Sequence, residues 1–163
     1  MNSCENINLA NECINSCSQC CFKGKVLLFP DEYESIKKHL SKTSESNLEE
    51  FLSNCENFEE FYLLNQNQRC QFLNNRNLCT LHDLGLKPSE CFWWPAHFYV
   101  TTGDTLEILL ADYCCQSFKQ INEQSEHIQN MNNFLTEEKA LIIKKFRKIY
   151  DGNFKNKLQV SSE

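Results

Sequence analysis

Glycine is scarce in this chain: 4 of 163 residues, at Gly24, Gly85, Gly103 and Gly152. An average protein carries roughly 7%. Scattered singly, these four can write neither a Walker-type phosphate loop nor the glycine fingerprint of a dinucleotide site. P-loop nucleotidases and Rossmann dehydrogenases are therefore excluded. Basic charge is short as well, with 16 Lys and Arg against 22 Asp and Glu, a net charge of -6 and a pI near 5.3. Such a balance offers no general attraction for a phosphate backbone. The one basic run, Lys144-Lys145-Phe146-Arg147-Lys148, is interrupted by an apolar residue and reads as the solvated face of a helix. Nucleic acid is not expected as a partner.

Long hydrophobic runs are missing too. Nowhere do about 18 apolar residues follow one another, so no membrane-spanning helix is expected. The opening Met1-Asn2-Ser3-Cys4-Glu5-Asn6 has neither a basic start nor an apolar stretch of signal-peptide length. The expectation is a cytoplasmic chain in a reducing compartment, where thiols persist and disulfides are rare.

What the chain does have is cysteine, 11 in all. The number is odd, so at least one thiol stays unpaired under any intramolecular disulfide scheme. Hydrophobic residues at 41% and charged residues at 23% describe a globular composition. A mass of 19.2 kDa suits one compact domain, expected over residues 1–151 with a tail over 152–163. The pattern predicts an α+β fold, mostly helical, organised by metal, with cysteine-rich loops and one β-hairpin. Residues 5–22 read as a helix, and Val26-Leu27-Leu28-Phe29 as a strand or an extended link. Pro30-Asp31-Glu32 reads as a helix start, with proline in the first turn and acids at the positive end. The polar stretch 41–47 reads as a loop. Over 48–64 the apolar residues Leu48, Phe51, Leu52, Cys55, Phe58, Phe61 and Tyr62 recur at three and four, predicting an amphipathic helix. Residues 65–95 are irregular, 98–102 and 105–110 flank Gly103-Asp104 as a hairpin, and 122–133 carry little signal. Thr136 with Glu137 and Glu138 caps a last helix to about Tyr150, with Leu141, Ile142, Phe146 and Ile149 facing inward.

The thiols fall into series. Cys13-x3-Cys17-x2-Cys20-Cys21 places four of them in an arc of about 100° on a helix. Cysteine is readily buried, so such a stripe alone fits a core as well as a site. A second series, Cys70-x8-Cys79-x11-Cys91, and the pair Cys114-Cys115 shift the balance to metal. Thiolates are soft ligands suited to zinc, copper(I) and iron–sulfur clusters, and closed sites need four. Eight would fill two sites, and the adjacent Cys20 and Cys21 diverge enough on a helix to serve different metals. The residues single out no catalytic group.

The Cys-x3-Cys-x2-Cys-Cys opening resembles that of the YkgJ-type cysteine-cluster family, zinc- or iron-chelating domains. The resemblance continues through Cys70-Gln71-Phe72-Leu73, Cys79-Thr80-Leu81-His82, Lys87-Pro88-Ser89-Glu90-Cys91 and Trp94-Pro95, covering roughly residues 10–115. It implies Cys13, Cys17, Cys20, Cys21, Cys70, Cys79, Cys91 and Cys114 as ligands, with Cys115 fitting the last place nearly as well. The family more often has Arg before its Pro-x-x-Cys step, where this chain has Lys87. Cys4 and Cys55 lie outside the pattern and read as structural. His82 follows Cys79 at a chelating spacing, but the resemblance allows an aromatic there, so packing or a hydrogen bond to a thiolate is the expectation. His39, His97 and His127 have no metal-like partner nearby in sequence. Phe92, Trp93, Trp94 and Pro95 are expected to form a dry shell beside Cys91, or simply to fill a core. The implied cofactor is zinc, iron or an iron–sulfur cluster, and the implied function is chelation. An oxidoreductase-like iron–sulfur protein, an accessory subunit of a protein-modifying enzyme and a metal-delivery module remain the other readings.

Overall fold

The structure, a computed structural model, describes residue 21 and residues 24–94, 96–110 and 126–150. The predicted helix over 5–22, apart from Cys21, and the tail over 152–163 lie outside them. The chain forms two compact units, Met1–Phe92 and Trp93–Glu163. Five helices and two small antiparallel sheets are present among the described residues, an α+β architecture.

In the first unit β1 (Lys25–Leu28) leads through Phe29 into α1 (Pro30–Thr43). The start is where proline and the two acids place it, because Pro30 needs no hydrogen bond to its nitrogen and Glu32 reaches back to the Phe29 N–H at 3.1 Å. Tyr33, Ile36 and Leu40 form its buried stripe. The expected loop over 41–47 shrinks to Ser44. Its hydroxyl accepts the Asn47 N–H at 3.3 Å and caps α2 (Glu45–Asn54), so the polar residues on either side remain helical.

The helix predicted over 48–64 ends at Asn54. β2 (Cys55–Asn57) and β3 (Tyr62–Asn65) take the rest, with β3 between β1 and β2. Tyr62 opposes both Leu28 and Asn57. Helical spacing lost here because β3 fills two ladders at once and buries Leu63 and Leu64. The Asn57 side chain accepts the Glu59 N–H at 2.9 Å and holds Glu59 at φ 60, which turns the chain back. The core joins Val26, Leu28, Tyr33, Ile36, Leu40, Phe51, Leu64, Phe72 and Leu81. Tyr33 stacks on Tyr62 with ring centroids 3.7 Å apart, and Phe51 bridges Tyr33 to Phe72 at 5.4 and 5.9 Å.

After α3 (Ser89–Trp93), the second unit contains the expected hairpin, β4 (Ala96–Val100) with β5 (Leu106–Leu110). Two helices follow, α4 (Glu126–Phe134) and α5 (Glu137–Tyr150). α4 rises from a stretch of weak signal, since Ile128 and Met131, one turn apart, are its buried residues. On α5 the inward face is rotated from the expected one. Ile142, Ile143, Phe146 and Arg147 are buried, while Leu141 and Ile149 are 54% and 52% exposed. The basic run is thus not wholly a solvated face, because Arg147 packs over the Phe146 ring at 4.7 Å.

Candidate metal centre

Beyond β3 the backbone loses regular structure, and local polar contacts hold it. The Asn74 side chain accepts the N–H groups of Arg76 and Leu78 at 2.8 and 3.1 Å. Arg69 donates to the carbonyls of Leu73 and Asn74 at 3.5 and 2.7 Å. The Thr80 N–H and hydroxyl both reach the Phe72 carbonyl, at 2.8 and 3.1 Å. These bonds fold 70–80 into a narrow loop whose legs meet at a Leu73–Cys79 bridge, bringing the Cys70 and Cys79 legs together. Gly85, at φ 66, supplies the left-handed turn that lets the Leu86 N–H close on the Leu81 carbonyl at 3.0 Å. Cys21 joins from the far end of the sequence, its carbonyl accepting the Cys70 N–H at 2.6 Å.

Cys91 arrives on α3, and two carboxylates fix that helix to β1 and α1. Glu32 accepts the Ser89 N–H at 2.7 Å and the Ser89 hydroxyl. Glu90 accepts the Leu27 N–H at 2.6 Å, which also closes an outer edge position of β1. Burial pushes the Glu32 carboxyl above its usual range, against the pull of the Ser89 and Phe29 donors.

Cys70, Cys79 and Cys91 all pack against the same hydrophobic core. Burial raises each of these partly buried thiols: Cys70 to about 12, Cys79 above its ordinary value, and Cys91 well above it. The thiols also feel one another. Cys21 raises all three, Cys79 raises Cys70, and Cys70 raises Cys91. Opposing this are groups that favour the anionic sulfur. The Phe72 N–H and the Gln66 side chain address Cys70, the N–H groups of Leu81 and His82 address Cys79, and Lys87 attracts both Cys79 and Cys91. Backbone N–H groups two and three residues after a cysteine are suited to a thiolate that carries charge on a metal. Buried neutral thiols make poor nucleophiles, whereas a bound cation would deprotonate them outright. The donor set fits zinc or iron in its chemistry. Among the described residues no three His, Cys, Asp or Glu side chains are drawn onto a single point. The four thiols form a neighbourhood rather than a closed shell.

Of the eight expected ligands, Cys21, Cys70, Cys79 and Cys91 are therefore neighbours. Cys13, Cys17, Cys20 and Cys114 lie outside the described residues, as do Cys4 and Cys115. Cys55 stands apart on β2, packed on the core, and its rise to about 12 comes from burial alone. The His82 side chain is exposed, and it is the residue's backbone N–H that serves the Cys79 sulfur. The aromatic shell expected beside Cys91 takes another form. Phe92 is 53% exposed with Lys87 over its ring, and Trp93 pairs edge-on with Phe98 and Phe134. The apolar side of Cys91 is the core of the first unit.

Sequence reading missed Gln66, Glu32, Ser89 and Glu90 as supports of the site. Glu32 carried a local signal as the third residue of its helix, but its second partner lies 57 positions away. Gln66 had no signal beyond an Asn/Gln-rich segment.

No curated protein and no solved structure matches the chain. A family model does match, over residues 12–116: CxxCxxCC, described as a putative zinc- or iron-chelating domain. That span covers well over half of the sequence and takes in all four neighbouring thiols as well as the four expected ligands outside the described residues. The chain belongs to the CxxCxxCC family.

Proposed function

We propose that this protein chelates zinc through cysteine thiolates, with Cys21, Cys70, Cys79 and Cys91 as one four-thiolate centre. Cys13, Cys17, Cys20 and Cys114 are carried over from the family resemblance as the further thiolate ligands. The observation that carries the reading is the gathering of four thiols from distant segments, with peptide N–H groups directed at two of the sulfurs. Bound zinc would supply a fixed divalent charge that balances the thiolates and ties the loop to α3. Its role is structural: the Phe72, Leu81 and His82 N–H groups and Gln66 orient the sulfurs, and the core packs on one side of Cys91. Zinc is favoured over an iron–sulfur cluster because the cysteines lack the Cys-x2-Cys-x2-Cys run with a nearby Cys-Pro found in bacterial ferredoxins. Two zinc sites also need no electron-transfer partner. Anaerobic purification with metal and acid-labile sulfide analysis tests this. Colourless protein with two zinc equivalents is expected, and brown protein with sulfide would replace zinc by a cluster.

A further inference from the structure

Cys91 is the thiol least able to place itself. It sits on a helix of five residues, too short to hold its own orientation, after a loop without regular structure. The strongest polar contacts of this segment do not come from its own neighbours. They come from Glu32, 57 residues earlier, which accepts both the backbone N–H and the hydroxyl of Ser89 through one carboxylate oxygen. The other oxygen of Glu32 accepts the Phe29 N–H at 3.1 Å, so the carboxylate is itself held at the first turn of α1. A carboxylate shared by three donors from two segments is directional and charge-assisted, which makes it a stiff joint. It anchors the start of α3, two residues before Cys91. Glu90 adds a second tie by accepting the Leu27 N–H at 2.6 Å.

From this geometry we infer that Glu32, acting through Ser89, is a positioning residue for Cys91: it holds the segment that carries this sulfur beside Cys21 and Cys70. This rests on the chelation reading, and concerns residues outside the cysteine pattern. Its chemistry is that of the outer partners of metal sites, whose loss typically weakens metal affinity by about 10–100-fold. The hydroxyl of Ser89 has a particular place in it, since it doubles the grip on Glu32 that the backbone alone would leave single.

The test uses the full chain with zinc, and with cobalt(II) as a coloured reporter of thiolate coordination. Glu32→Gln should weaken zinc binding by at least about tenfold and lower the sulfur-to-cobalt charge-transfer intensity of the full chain by about an eighth, one thiolate of eight. Ser89→Ala should move both readings in the same direction by less, and Ser89→Thr, which keeps the hydroxyl, should restore them. Leu40→Ala, a core truncation on the same helix, controls for stability alone. It should lower the melting temperature while leaving the cobalt spectrum of the folded protein unchanged. Wild-type zinc affinity and cobalt spectrum in Ser89→Ala and in folded Glu32→Gln would overturn the inference, as would a Leu40→Ala spectrum altered like theirs. Should Glu32→Gln fail to fold, the Ser89 pair decides. Wild-type protein without a thiolate–cobalt band would overturn the chelation reading and this proposal with it.

Discussion

Residues 66–91 hold three partly buried thiols on backbone with little regular structure, kept in place by Asn74, Arg69, Thr80 and Glu32. Residues 96–110 of the other unit form a hairpin in full register from Ala96–Leu110 to Val100–Leu106. There the turn is closed by the paired hydroxyls of Thr101 and Thr105, and Asp104 binds Lys144 and Lys148 of α5 at 3.0 and 3.5 Å. Aromatic edges finish the packing, Trp93 on Phe98 at 5.1 Å and on Phe134 at 4.8 Å. One region is built from ladders and hydrophobic contacts that stand without help. The other brings together soft ligands that repel one another as anions and are costly to ionise in a core. On the chelation reading, the metal would act, among the described residues, on the loop and α3 rather than on the hairpin.

Metal removal should break the comparison most severely. A structural zinc contributes an apparent ~10–16 kcal/mol to folding in small domains. Stripping the protein with a chelator should therefore expose the amides of residues 66–91 to hydrogen exchange, while those of β4 and β5 stay protected. Equal loss of protection in both regions would show that the second unit depends on metal as well.

Single ligand removal comes next. Cys79→Ser and Cys91→Ser should each reduce bound metal by one equivalent and lower the melting temperature together. Either variant with full metal content and normal melting loses its place in the ligand set.

Alkaline pH should act on the metal-free chain with a definite sign. Cys55, on β2 outside the stretch that opens without metal, is pushed up to about 12 from 9.0 by burial. Above pH 9 the unfolded chain gives up a thiol proton that the folded chain keeps, so stability falls as pH rises from 9 toward 12. The slope approaches about 1.4 kcal/mol per pH unit for this thiol. Denaturant titrations of metal-free protein at several pH values would read it, and a flat profile would contradict the packing of Cys55 on the core.

The two smallest effects sharpen the contrast between a packed thiol and a ligand, and between core and surface. Cys55→Ala, combined with Cys4→Ser, should cost about 1 kcal/mol by the usual measure of a core truncation and leave metal stoichiometry intact. Loss of a whole equivalent would place one of them in a site. Asp104→Asn removes exposed ion pairs of the hairpin turn and should leave the melting temperature within error, since such pairs contribute little. A large drop would mean that the turn is held by charge rather than by its threonines.

Much of this was legible from sequence where the signal was local. Pro30 and the acids after it marked the start of α1, Gly103-Asp104 marked the hairpin, and Thr136, whose hydroxyl accepts the Lys139 N–H at 3.3 Å, marked the start of α5. The spaced cysteine motifs gave the family, which the family model bears out. What escaped was set by distant partners. Phe58, Phe61 and Tyr62 kept helical spacing, yet Tyr62–Asn65 became the central strand because β1 and β2 offered it two ladders. Ser89 and Glu32 look like ordinary helix-start residues, and only the fold reveals that each completes the other. The α5 face was misjudged by one position because Leu141 and Ile143 are equally apolar, and packing within the second unit chose Ile143.

The central claim is that thiolates alone surround the metal. X-ray absorption at the metal edge of the protein as purified tests it most directly. The account predicts zinc with four sulfur neighbours at about 2.3 Å and no nitrogen or oxygen shell. A first shell containing imidazole or carboxylate, or protein carrying no metal, would contradict it.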